Sequence, residues 1–196
     1  QIMEMEGATK VAVLGAGNMG HGIAEVVAIA GFTVVMRDIT EELVQKGYDG
    51  IVWSLNKLVE KGQISEKKSK ETLDRITTVV TIEGAVSDAD IVIEAIPERM
   101  DLKKEVYKEV EKYLPDRAVV LSNTSSLSIT ELSEVIGCPD RFCGLHFFNP
   151  PIKMPLIEVI LGDHTSEETF EFAIQFAKKI GKFPVSVYKD SPGFIV

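Results

Sequence analysis

The run Gly15-Ala16-Gly17-Asn18-Met19-Gly20 has the spacing G-x-G-x-x-G and stands between an apolar stretch, 11–14, and a segment with helical periodicity. Bare backbone N–H groups at such a turn, with the positive end of the following helix, favour a bound anion such as a pyrophosphate. Gly15 permits the tight turn, Gly17 the approach of backbone to the anion, and Gly20 the close packing of helix on strand. Asn18 and Met19, inside the motif, join them as candidate cofactor-binding positions. Eighteen positions beyond Gly20, Asp38 ends the next apolar run. A carboxylate there accepts hydrogen bonds from both hydroxyls of an adenine ribose and repels a 2′-phosphate, which favours NAD over NADP. Arg37 beside it is the one neighbour suited to the opposite choice.

Other residues have types suited to proton transfer. His146 closes the apolar run 142–146, and an imidazole with a pKa near neutrality takes and returns a proton readily. Taken singly, such a histidine serves equally as a structural residue. The run Ser122-Asn123-Thr124-Ser125-Ser126-Leu127 serves equally as a turn or helix cap, and Glu158 as a strand residue facing water. Cys138 and Cys143 are the only cysteines and lack C-x-x-C spacing, so they read as reduced structural thiols. His21, His146 and His164 are scattered without H-E-x-x-H or a Cys/His cluster, and no metal site is expected.

Short β-branched runs alternate with longer helical patterns. Strands are predicted at 11–14, 33–37, 77–80, 91–95, 119–122, 142–146, 156–161 and 183–187. Met19, Ile23, Val26, Val27 and Ala30 share one helical face, and Val44, Tyr48, Ile51, Leu55 and Leu58 another. A helix after Pro97 carries Leu102, Val106, Val110 and Tyr113, and a further one starts near Ser166, with Thr165 and Glu168 spaced as a capping box. The alternation predicts an α/β fold, a Rossmann-type doubly wound, mainly parallel sheet with helices on both faces. Asn149-Pro150-Pro151, with Pro155 close by, reads as a rigid loop. Residues 1–189 form the expected dinucleotide-binding domain, and 190–196, with the turn signal Asp190-Ser191-Pro192-Gly193, the start of a second, truncated one.

The chain has 196 residues, 45% hydrophobic and 26% charged, with a net charge of −9 that repels nucleic acid and anionic lipid. Its apolar runs are broken before the ~18 residues of a membrane span, and the nine residues before Lys10 are too few for a secretory signal. A soluble, cytoplasmic protein is expected. Against the net charge, residues 57–70 carry Lys57, Lys61, Lys67, Lys68 and Lys70 with only Glu60 and Glu66. Ser54, Lys57 and Lys61 fall at i, i+3 and i+7 and form a polar stripe suited to phosphates, although lysine-rich helix ends often face only water.

Three segments, Ser122 to Leu127, Arg141-Phe142-Cys143-Gly144-Leu145-His146-Phe147-Phe148-Asn149-Pro150 and Leu156-Ile157-Glu158-Val159-Ile160, follow the glycine motif in order. Together they resemble the NAD-binding domain of the 3-hydroxyacyl-CoA dehydrogenase family, from about Lys10 to the end. The resemblance implies NAD-dependent oxidation of 3-hydroxyacyl-CoA to 3-ketoacyl-CoA in fatty-acid β-oxidation. It implies His146 as general base, Glu158 as the partner that fixes its tautomer and stabilises the imidazolium, and Ser125 as the donor that positions the substrate oxygen near the nicotinamide. Glu98, Lys103 and Asn149 match family positions at the nicotinamide half of the cofactor, although Glu98 and Lys103 also read as surface charge at a helix start. Ser54 and Lys61 match positions that contact coenzyme A, and Ser125 belongs to the substrate set as well. In the family a further asparagine and a helical domain, which closes the acyl site and mediates dimerisation, follow the segment resembling Pro192 to Val196. The resemblance therefore implies a homodimeric parent and a chain that binds cofactor with weak or absent turnover. Competing readings are another β-hydroxyacid dehydrogenase, separable by a substrate panel with and without CoA, and a non-catalytic dinucleotide-binding module.

Overall fold

The computed structural model describes residues 4–191, and the expected continuation at 192–196 lies outside them. The chain runs β1 (Lys10–Leu14), α1 (Asn18–Ile29), β2 (Thr33–Arg37), α2 (Glu41–Glu60), α3 (Glu66–Asp74), β3 (Ile76–Val79), α4 (Ile82–Val86) and β4 (Ile91–Glu94). It continues as α5 (Met100–Glu111), β5 (Val119–Ser122), α6 (Ile129–Ser133), β6 (Phe142–Phe147), β7 (Leu156–Ile160), α7 (Glu167–Lys179) and β8 (Phe183–Val187). The eight strands form one sheet in the order β3-β2-β1-β4-β5-β6-β7-β8. This is the doubly wound Rossmann arrangement expected, extended by β7 and β8.

Burial explains why the central strands read as unbroken apolar runs. Every residue of β4 and β5, and all of β1 after Lys10, is buried, because helices cover both faces of the sheet. One core packs Ile23, Val27, Ile51, Leu55 and Phe176 against one face, and a second packs Val86, Tyr107, Val110 and Leu132 against the other. Thr40, Ser65, Thr81, Ser128 and Ser166 each start a helix by accepting a hydrogen bond from the backbone N–H three residues on.

Several expectations are corrected. The cap of α7 is Ser166, not Thr165, whose hydroxyl donates to the Phe142 carbonyl at 2.7 Å. The third strand spans 76–79 instead of 77–80. The lysine-rich stretch divides between α2 and α3, and Lys67 and Lys70 pair with Glu71 and Asp74 on the latter's surface. Strand β7 runs antiparallel to β6 while all other pairs are parallel. Only residues 148–155 join β6 to β7, too few for the crossover a parallel return requires. No described helix is long and apolar enough to cross a membrane.

At the opposite end of the sheet from the glycine turn, Asp90 ties β1 to β4. Its carboxylate accepts from Thr9 N at 2.9 Å, Lys10 N at 3.0 Å and Arg117 Nε at 2.8 Å. Burial pushes its pKa up, but the Thr9 and Lys10 N–H groups and Arg117 outweigh that and hold it below the usual carboxylate value. A lowered folded-state pKa means stability that is present above the unfolded pKa and lost as pH falls through the folded one. Asp90→Ala is expected to cost about 2 kcal/mol in urea unfolding at pH 7. The gap between variant and parent should shrink below pH 4; a gap constant down to pH 2 would contradict the assignment.

Candidate active site

Strand β1 has β2 on one side and β4 on the other, so the ends of β1 and β4 open a crevice at the topological switch point. The turn from β1 to α1 fills its floor. Gly15 has φ +106°, and a Cβ on it would lie 2.3 Å from the Ala95 carbonyl oxygen. A Cβ on Gly20 would lie 1.9 Å from the Gly15 carbonyl oxygen, so the helix sits directly on the turn. A Cβ on Gly17 would meet no atom within 4 Å, leaving bare backbone beside open space. Asp38 accepts from Ala16 N at 2.9 Å and from Ile39 N at 2.7 Å, which fixes its carboxylate against the turn while lone pairs remain for sugar hydroxyls. Arg37 donates from Nε to the Val80 carbonyl at 2.9 Å, which occupies one donor of its fork.

The crevice is a cavity of about 750 Å³. Gly15, Gly17, Asn18, Met19, Asp38, Glu98, Lys103, Ser125, His146 and Asn149, all expected at the site, line it. Exposed Ile39 and Leu43 add an apolar wall beside Asp38. Gly20 and Glu158 lie behind the lining, the first under the turn and the second behind His146. A glycine turn at a helix start, an acid at the end of β2 and an apolar wall fit a dinucleotide.

Behind the lining lies a polar network. Glu94, at the end of β4, is fully buried; its oxygens accept from Lys103 Nζ at 2.6 Å, Tyr107 OH at 2.7 Å, Ser122 Oγ at 2.7 Å and Ile96 N at 3.1 Å. Burial, then the Glu94 charge, pushes the Tyr107 hydroxyl pKa well up and keeps it a donor. Lys103, read as possible surface charge, is 2% exposed. Its ammonium also reaches Glu98 Oε1 at 3.3 Å. Glu98 in turn accepts from Thr124 Oγ1 at 2.7 Å, Ser125 N at 2.7 Å and Ser125 Oγ at 2.8 Å. Burial raises the Glu98 pKa, but these donors and Lys103 outweigh it and hold the group low and ionised.

His146 and Glu158 face each other across the antiparallel pair β6/β7. Nδ1 of His146 lies 2.8 Å from Oε1 of Glu158, with the carboxylate almost fully buried and the imidazole at the cavity wall. Asn123 Oδ1 accepts from Phe147 N at 2.8 Å and ties the end of β5 to the end of β6.

Ser54 and Lys61, together with Lys57, line a separate cavity of about 740 Å³. Asn18, His21, Glu25, Trp53 and Lys153 also border it. The glycine turn, the proton-transfer group and the basic stripe therefore fall around two cavities that share Asn18. Sequence reasoning missed Glu94, Tyr107, Asn123 and Glu25. A carboxylate closing the apolar run Ile91-Val92-Ile93 was the available signal for Glu94, because a charge in a strand buried on both faces requires a partner.

Comparison with known proteins agrees with this geometry. The model of the 3-hydroxyacyl-CoA dehydrogenase, NAD binding domain, family matches residues 10–191. The chain is 44% identical to the fatty acid oxidation complex subunit alpha of Idiomarina loihiensis over 94% of its own length and 25% of the relative's. It is 44% identical to the mitochondrial hydroxyacyl-coenzyme A dehydrogenase of Homo sapiens, covering 95% of this chain and 60% of that one. The crystal structure of (S)-3-hydroxybutyryl-CoA dehydrogenase from Ralstonia eutropha superposes with TM-score 0.93 at 41% identity, over 96% of this chain and 66% of that one. The chain belongs to the 3-hydroxyacyl-CoA dehydrogenase NAD-binding domain family. NAD is accordingly the cofactor of this domain. The chain spans between a quarter and about two thirds of the length of these relatives.

The buried network yields a stability prediction. Lys103→Met strands the Glu94 charge and is expected to cost about 3–5 kcal/mol in urea unfolding. The double variant Glu94→Gln/Lys103→Met should recover most of that loss. Equal destabilisation in the single and double variants would show that packing, not charge, holds this region.

Proposed function

We propose that the chain is the cofactor-binding part of an NAD-dependent oxidoreductase that converts 3-hydroxyacyl-CoA to 3-ketoacyl-CoA. The observation that carries this reading is the 2.8 Å contact of His146 Nδ1 with Glu158 Oε1 in the wall of the crevice that also holds the glycine turn and Ser125. Oxidising a secondary alcohol removes a proton from oxygen and a hydride from carbon. NAD, when bound, supplies the hydride acceptor. Glu158 fixes the tautomer with the proton on Nδ1, so Nε2 is the basic nitrogen that takes the hydroxyl proton, and the same carboxylate stabilises the imidazolium that results. Ser125, whose hydroxyl donates to Glu98 in this structure, turns that O–H to the substrate oxygen, which leaves the one hydroxyl proton of the alcohol directed at Nε2 of His146.

Asp38, Glu98, Lys103 and Asn149 position the cofactor, the first at the ribose and the others around the nicotinamide half. The second cavity, with Ser54, Lys57, Lys61 and Lys153 on its walls, suits the phosphates of an acyl-CoA. Fatty-acid β-oxidation as the setting is supported by a relative named for fatty acid oxidation. A cytoplasmic location, a homodimeric parent and a second domain from residue 190 go with the same reading. Cofactor binding with weak or absent turnover by the chain alone goes with it too.

In the full-length parent, His146→Gln is expected to lower kcat by 10²–10⁴-fold in NADH formation from a 3-hydroxyacyl-CoA series. NADH affinity should stay within about twofold of the parent. Activity near that of the parent would overturn His146 as the base. For the basic stripe, Lys61→Glu should weaken CoA binding by roughly tenfold at low salt and less at high salt. Affinity that is unchanged at low salt would remove Lys61 from the phosphate site.

A further inference from the structure

Glu25 is an acidic residue in the otherwise apolar middle of α1, between Ala24 and Val26. It is 1% exposed, one of its oxygens has no hydrogen-bond partner, and the carboxyl borders the second cavity. The side chain of Ser54, from α2, borders the same cavity. The mechanism above makes no use of Glu25, yet a buried carboxyl with an orphaned oxygen is costly unless protonation or a partner relieves it. Burial raises its pKa to about 7, against a smaller lowering by the Ser54 hydrogen bond. The other titratable or charged groups around the cavity are His21 on α1, whose Nδ1 is buried without a partner, Lys57 and Lys61 on α2, and Lys153 in the loop after β6.

The consequence lies in the direction of one hydrogen bond. A carboxylate only accepts, so an ionised Glu25 takes the Ser54 proton and leaves the serine facing the cavity with lone pairs. A carboxylic acid donates, so a protonated Glu25 satisfies the Ser54 oxygen and releases the serine O–H toward the cavity. An anionic phosphate oxygen needs a donor. We propose that Glu25 is a positioning residue that sets the hydrogen-bond polarity of Ser54, so that the second cavity binds the phosphates of an acyl-CoA when Glu25 carries its proton and releases them when it does not. This rests on the acyl-CoA reading of that cavity.

Calorimetric titration of the chain with CoA from pH 6 to pH 8.5, beside titration with NADH, tests it. The unmodified chain should bind CoA about tenfold more weakly at the alkaline end, the loss of one hydrogen bond to an anion. The midpoint should fall near 7, the value to which burial raises Glu25. Glu25→Gln keeps an N–H donor toward Ser54, so its CoA affinity should stay near the acidic-end value throughout. Ser54→Ala should be weak at every pH. NADH affinity, read at the separate crevice, should be alike in all three and reports that each is folded. Parallel CoA profiles for the unmodified chain and Glu25→Gln would overturn the role of Glu25 and leave the acyl-CoA reading standing. Absence of CoA binding at every pH, with NADH still bound, would overturn that reading and this inference with it.

Discussion

A single buried carboxylate organises the catalytic end of the sheet. Glu94 has no exposed surface, and a charge removed from water is tolerated only when a counter-charge and hydrogen bonds replace its hydration. Lys103, Tyr107, Ser122 and the Ile96 N–H supply these. Meeting that requirement fixes α5 over the ends of β4 and β5. The same Lys103 reaches Glu98, and Glu98 holds Thr124 and Ser125. A demand that arises in the core thus ends at a serine on the cavity wall, through three consecutive charged side chains.

The second determinant is the short return from β6 to β7. Residues 148–155 are too few for a helical crossover, so β7 must run back along β6. Antiparallel register then sets His146 directly opposite Glu158, with side chains on the same face of the sheet. Had the connection been long enough for a parallel return, the two residues would have had no such pairing. The loop itself is held by Lys182, whose ammonium donates to the Pro151 and Met154 carbonyls.

How much of this was legible in the sequence depends on whether the signal is local. The glycine turn and Asp38 are spaced along a strand-turn-helix-strand unit, so their meeting follows from that unit alone. The alternation of apolar runs with helical stripes gave the layered sheet. Short α4 and α6 have too few residues for a periodic stripe and were not anticipated, although Thr81 and Ser128 cap them. The lysine-rich stretch 57–70 looked like one basic surface, but the turn between α2 and α3 sends only Lys57 and Lys61 to the second cavity. Glu98 and Lys103 were legible as cofactor positions only through the family resemblance and read alone as surface charge, because nothing local announces that Lys103 is buried between Glu94 and Glu98. Such pairings depend on tertiary burial, which a periodic pattern does not encode.

The placement of the two cavities also bears on the charge problem posed by the proposed ligands. Both are anions, and the chain carries a net charge of −9. Uniform attraction is unavailable, so each site needs its own source of positive potential. In the crevice that source is the backbone at the start of α1, a partial charge fixed by the fold and insensitive to pH. At the second cavity it is a set of lysines, and the nearest buried acid, Glu25, works against them whenever it is ionised. Asn18 borders both cavities, and residues 148–153 pass from one to the other. Helix α1, whose start lies at the crevice, thus also carries Glu25 and His21 to the second cavity. The fixed backbone charge at the one cavity and the titratable side chains at the other are brought to the same helix, α1.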